Sequence, residues 1–277
     1  MKITFLGTAA AEGIPALWCE CPVCAKALRD GGKELRRRCS YLIDDDTMVD
    51  FGPDAFWQTA EFGIDLVHLK RIIFTHPHED HLNPVDFFWR HAGYSQVTRT
   101  LDLYGSYSIF TALLAPVATL GVTYDYRELH IAPHVLAHFE RVSAGDIEIL
   151  PLRANHAPGR NAQILVLSRK RRTVLIANDT GWLPEESWAA LRGVKLDAAV
   201  IENTCGLRYP EEDRGHMGCH VAVRFRDELV KLGCLAPDAP VVVNHFSHNG
   251  GANHRELEEF FAPYGIDTAF DGKVLEV

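Results

Sequence analysis

Positive charge is scarce in this sequence: 28 Lys and Arg stand against 37 Asp and Glu, for a formal net charge of -9. Phosphate backbones need cationic surface, so no nucleic-acid partner is expected. Cysteine is sparse and uneven. Three of seven crowd into Cys19, Cys21 and Cys24, while Cys39, Cys205, Cys219 and Cys234 are scattered, a poor disulfide framework for 277 residues. The opening residues lack a basic stretch, a long apolar run and a small-residue cleavage site, so the expected compartment is a reducing cytoplasm. Internal repeats, low-complexity tracts and linkers are missing as well, which leaves one domain over residues 1–277 as the expected organisation. One run, residues 103–124, carries no charge over a length that reaches across a bilayer. It contains Gly105, Pro116, Gly121 and five Ser or Thr, so a strand followed by a buried, amphipathic helix is expected there, and no membrane span.

What is present is the balance of a globular protein, 47% hydrophobic and 23% charged, with enough apolar residues for a sizeable core. Apolar, β-branched runs predict strands at residues 3–6, 39–43, 47–49, 71–75, 147–152, 163–167, 173–177, 198–201 and 241–243. Asp44-Asp45-Asp46 and the basic run at residues 169–172 read as hairpin turns. Arg36, Arg37 and Arg38 precede a strand and read, like that second turn, as solvated. Helical patterns fall at residues 185–191, 216–232 and 256–261, and Asn83 as cap with Pro84 at the first position opens another through about residue 90. Strands and helices alternating over the whole length predict a layered α/β body.

Histidine is the abundant residue, 14 in all. His76, His78, Asp80 and His81 follow a predicted strand directly, and alternate positions of an extended segment point the same way, so these side chains can converge on a metal. Nitrogen and oxygen donors suit Zn, Mn or Fe better than Ca or Mg. His156, Asp179 and His245 each follow a strand too and can meet at the same sheet edge. The spacing of Cys19, Cys21 and Cys24 is that of thiolate ligands, and a structural zinc needs a fourth donor.

The string His-x-His-x-Asp-His, with Asp50 upstream and His156, Asp179 and His245 downstream, resembles the metallo-β-lactamase-fold hydrolase superfamily over nearly the whole chain. Gly7-Thr8-Ala9, the segment from Trp18 to Cys24, and His245-Phe246-Ser247-His248 make it most similar to the phosphoribosyl 1,2-cyclic phosphate phosphodiesterase family within that superfamily. The resemblance implies an αββα sandwich with a dinuclear site of two divalent ions, Mn or Zn. His76, His78 and His156 would bind one ion, Asp80, His81 and His245 the other, and Asp179 would bridge them. Asp50 would orient a ligand imidazole. His248 would complete a structural zinc site with Cys19, Cys21 and Cys24, making residues 17–25 a zinc loop. His216 would act as the general acid or base beside Asp80, with His220 as the competing assignment.

The activity so implied is hydrolysis of a small or cyclic phosphodiester through a metal-bridging hydroxide. Alternatives from the same resemblance are a lactone or thioester hydrolase with the same ions, and a non-catalytic carrier like that of pyrroloquinoline quinone biosynthesis. A small-molecule partner is expected, and a homodimer is compatible with the sequence. Arg153, Arg160, Arg208 and Arg214 lie near the motifs as candidates to hold a substrate phosphate. The segment with Phe88, Trp89, His91 and Tyr94 is a candidate pocket wall for a larger substrate.

Overall fold

The computed structural model describes residues 1–119 and 125–277. A first sheet is built from β1 (Lys2–Gly7), β2 (Ser40–Ile43), β3 (Thr47–Val49), β4 (Arg71–Ile73), β5 (Leu101–Gly105) and β6 (Ile131–Val135). The second contains β7 (Val142–Ala144), β8 (Ile147–Arg153), β9 (Gln163–Arg169), β10 (Arg172–Ala177), β11 (Ala198–Glu202), β12 (Val241–Asn244) and β13 (Asp267–Thr268). A last strand, β14 (Val274–Glu276), returns to the first sheet and pairs with β1. Each sheet has seven strands, ordered β14-β1-β2-β3-β4-β5-β6 and β13-β12-β11-β10-β9-β8-β7.

The period of two along each strand sorts the core into layers. Ile3, Phe5, Tyr41, Val49 and Ile73 face inward and pack in one buried cluster with Ile149, Leu165, Ile176, Val200 and Val242 of the second sheet. Their neighbours Leu6, Leu42, Met48, Ile72 and Leu103 point the other way. They are covered by residues such as Ala55, Phe87, Ile109 and Leu113 from α2 (Ala55–Phe62), α3 (Pro84–Phe88) and α4 (Tyr107–Thr119), which follow α1 (Pro22–Asp30) in the chain. On the far side, α5 (Glu185–Leu191), α6 (Cys219–Lys231) and α7 (His254–Phe261) cover the second sheet with Trp188, Phe225, Leu229 and Phe261. The result is the expected αββα sandwich.

Several expectations shift in detail. The helix after Asn83 ends at Phe88, and α6 begins at Cys219, so His216 lies in the loop before it. The run from residue 103 forms the end of β5 and then α4, which buries Ile109 and Leu113 and exposes Tyr107 and Thr111; residues 120–124 of that run lie outside the described residues. Among the described residues no helix is long and apolar enough to cross a membrane. The basic runs are not uniformly solvated. Arg36 is buried and donates to Thr8, the Ala269 carbonyl and His254. Arg169 is buried as well and joins the β2–β3 turn to the β7–β8 turn through paired bonds to Asp46 and Asp146, because a guanidinium fork satisfies two carboxylates at once.

The parallel runs matter most for the site. Strands β3 to β6 are parallel, as are β10 to β13, so their carboxyl ends deliver consecutive loops to one edge of the sandwich.

Candidate metal centre

Register places the donors. Val49 pairs with Ile73, which sets Asp50 beside Thr75: the Thr75 amide and hydroxyl both donate to its carboxylate at 2.8 Å. The loop after β4 then carries His76, His78, Asp80 and His81. Gly52 makes this approach possible, since a Cβ there would stand 1.9 Å from the Asp80 carbonyl oxygen. Asp179 follows β10, and His245 follows β12. Asp50, Asp179 and His245 all adopt left-handed φ values of 61°, 47° and 60°, a conformation that costs a non-glycine residue on the order of 1 kcal/mol or more and clusters at functional sites.

The imidazoles are held from outside and bare inside. His81 Nδ1 lies 2.7 Å from Asp50, His245 Nδ1 2.8 Å from the Thr204 hydroxyl, His76 Nδ1 3.1 Å from the Thr75 hydroxyl, and His156 Nδ1 3.0 Å from the Gly215 carbonyl. Each partner fixes a tautomer and turns the other ring nitrogen inward. His76 Nε2 and His156 Nε2 come within 3.0 and 3.2 Å of His78 Nδ1. His81 Nε2 lies 3.0 Å from both Asp80 and Asp179, and His245 Nε2 lies 2.9 Å from Asp179. The other Asp179 oxygen points toward His156 at 3.8 Å.

His81 Nε2, His245 Nε2 and Asp179 Oδ2 are buried, and their close mutual approaches do not have hydrogen-bond geometry. A fold does not leave three such groups converging unless something satisfies them. Their donor types and their convergence within 4.8 Å fit a divalent cation. Burial pushes the pKa of His76 and His156 down, keeping those rings neutral. At Asp179 and His81, burial opposes the charged form, but the facing histidines hold the Asp179 carboxyl well below its ordinary range, and Asp80, Asp179 and Asp50 hold His81 well above its own.

A second donor set lies beside the first. Cys21 caps α1 through its sulfur, and Cys19 and Cys21 sulfurs stand 3.4 and 3.6 Å from His248 Nδ1. Cys24 joins them, all four donor atoms lying within 4.8 Å of one another.

The centre opens into a cleft of about 320 Å³, within the range of small-molecule sites. His216 lines it, with its ring 4.8 Å from that of His156. Its Nδ1 is 2.9 Å from Glu202, a fully buried carboxylate at the end of β11 whose other oxygen accepts from the Thr204 amide at 2.7 Å. Burial opposes a charge on His216, yet Glu202, with Asp179 and Asp80 behind it, pushes its pKa up to about 9. His220 faces away, bonded to Glu211 at 2.6 Å and packed on Phe260.

Glu202 is the residue that sequence reasoning missed. A single Glu ending an apolar strand at residues 198–201 is its only trace, and a charge buried there is unusual unless paired. None of the four candidate arginines lines the cleft. The aromatic segment also stands away from it: Phe88, Trp89, His91 and Tyr94 pack on one another, and Trp89 borders a separate groove with Leu66 and Arg90.

Two facing sheets, helices outside both, and a His- and Asp-lined centre at the carboxyl ends of the strands define the class of metallo-β-lactamase-fold hydrolases. The chain belongs to the beta-lactamase superfamily domain family, whose model matches residues 46–232. Among solved structures it is similar to a diphosphatase of the PhnP family, at 22% identity and a TM-score of 0.74, covering 100% of this chain and 96% of that one. Zn(2+)-bound PqqB from Methylobacterium extorquens follows at 17% and 0.71, covering all of both chains. The short form of human tRNase Z gives 16% and 0.63, covering 100% and 99%. At these identities the likeness is one of fold. No curated protein matches the sequence.

Proposed function

We propose that the chain is a dinuclear metal-dependent phosphodiesterase acting on a small or cyclic phosphodiester. The observation that carries this reading is the split of Asp179, one oxygen toward His81 and His245 and the other toward His156. His76, His78 and His156 would hold one ion, Asp80, His81 and His245 the other, and Asp179 both; Cys19, Cys21, Cys24 and His248 would hold a structural zinc. Two divalent ions, Mn or Zn, would supply a nucleophile at neutral pH and neutralise charge on the phosphoryl oxygens.

The chain's own residues do the rest. Asp50, Thr75, Thr204 and the Gly215 carbonyl fix the imidazoles. When water adds to phosphorus and the ester P–O bond breaks, the departing alkoxide needs a proton, and His216, kept as imidazolium by Glu202, stands in the cleft to give it. The net charge of -9 and a cleft of about 320 Å³ favour a small-molecule substrate over a nucleic acid.

Metal analysis of protein purified without chelator tests the reading together with parallel assays. We expect close to three ions per chain and turnover of an aryl phosphodiester. An active preparation with one ion per chain, or turnover confined to lactones and thioesters, would overturn it.

A further inference from the structure

We propose that the non-reacting arm of the substrate is uncharged or cationic, carries hydroxyl or ammonium donors, and is read by Glu12, so that a second phosphate on that arm is disfavoured. This rests on the phosphodiesterase reading and names its substrate class. Besides the His and Asp cluster, the cleft is lined by Ala10 and Glu12 after β1, Thr204 and Tyr209 after β11, and Ser247 and Asn249 after β12. Among the described residues that line the cleft there is no Lys or Arg. Apart from the metal-type donors and His216, Glu12 is the one acidic or basic side chain among them.

None of the four basic side chains near the motifs lines the cleft. Arg153 pairs with Glu186 and Arg214 with Glu212. Arg160 borders a different groove with Pro77 and Glu79, and Arg208, over the ring of the cleft residue Tyr209 at 5.6 Å from its centroid, does not itself line the cleft. Away from His216 and the metal-type donors, a second phosphate on this wall would meet the Glu12 carboxylate and no lining Lys or Arg, whereas a hydroxyl or ammonium would find an acceptor.

Glu12 is exposed, and two neighbours bond its carboxylate. Asn249 donates to one of its oxygens at 3.1 Å and the Ser247 hydroxyl to the other at 3.5 Å. The Ala10 amide fastens the same loop to the Phe246 carbonyl at 2.8 Å. Ser247 lies between His245 and His248, so the turn that presents a donor to each metal-type cluster also fixes the carboxylate. A carboxylate offers about four lone-pair sites, which leaves acceptor capacity for substrate after two such bonds.

The test uses the full chain with its metals and three diesters that share a para-nitrophenyl group. Their second alcohols are 2-aminoethanol, glycerol and glycerol 3-phosphate. Wild type should favour the first two in kcat/KM by roughly tenfold or more, the scale of one hydrogen bond to a charged group. Glu12→Gln should narrow that ratio, mainly through KM, and Glu12→Lys should turn it toward the phosphate-bearing diester. Calorimetric binding of phosphoethanolamine and glycerol bisphosphate to wild type should give the same order without turnover. A wild type that prefers the phosphate-bearing arm, or a ratio unmoved in variants whose metal content matches wild type, overturns the inference alone. Turnover of none of the three, nor of a simple aryl phosphodiester, overturns the phosphodiesterase reading and the inference with it.

Discussion

At the scale of single residues, the metal-type donors were legible because their chemistry is local in the chain. His76, His78, Asp80 and His81 fall within six residues after one strand, and the motif placed His156, Asp179 and His245 in order. Glu202 was not legible, since its role depends on His216 reaching it from a loop across the strand ends at 2.9 Å. The competition between His216 and His220 was likewise undecidable from a helical wheel, because the helix begins only at Cys219. The Glu202 contact gives a prediction of its own. Glu202→Gln keeps the shape but removes the charge that favours the imidazolium, so kcat should fall by about 10²-fold or more, with metal content unchanged. Measuring both on one preparation separates a lost proton donor from a lost metal, and an unchanged kcat would remove His216 from proton transfer.

At the scale of elements, the strands with continuous apolar runs were read nearly to their ends, because burial on both faces leaves an unbroken signal. Short partners such as β6, with exposed Val135, and the two-residue β13 carry no such signal and exist through pairing. The start of α7 was placed two residues late because its true cap, Asn253, forms a capping box with Glu256. That helix also begins with His254, which belongs to no motif and is buried between charges. Its Nδ1 accepts from Arg36 at 2.8 Å and its Nε2 donates to Glu258 at 2.9 Å. Burial, and then the Arg36 charge, push its pKa down to about 4 from an ordinary 6.5. A depressed pKa of this kind means the folded state prefers the neutral ring. The stability it represents is present above pH 6.5 and is lost as pH falls toward 4, by roughly 3 kcal/mol if the whole shift is realised. Denaturant midpoints at pH 7 and pH 4.5 should therefore differ by less in His254→Gln than in wild type. Equal slopes in the two proteins would place the acid sensitivity elsewhere.

At the scale of the whole molecule, the sandwich leaves its N-terminal loop to be fastened by means other than the sheets. Residues between β1 and β2 supply Ala10 and Glu12 to the lining of the cleft. They are anchored at one end by Ala9, which bridges to both Arg38 and Phe246, and at the other by the Cys19, Cys21, Cys24 and His248 cluster. His245 and His248 are three residues apart on a single turn, so the two donor sets are mechanically joined while chemically distinct. This joining predicts different failures when each is damaged. His78→Ala should abolish turnover with a modest change in melting, since it removes one donor from a centre still framed by two sheets. Cys21→Ser removes a sulfur donor and the side-chain cap of α1 together. It should lower the melting temperature by several degrees and reduce bound metal by about one ion per chain, while kcat for a simple aryl phosphodiester falls far less than in His78→Ala. Thermal melts, metal counts and initial rates on the two variants, taken below both melting points, decide the matter. Loss of activity in both with unchanged melting would mean that the sulfur cluster belongs to the chemistry and not to the frame around it.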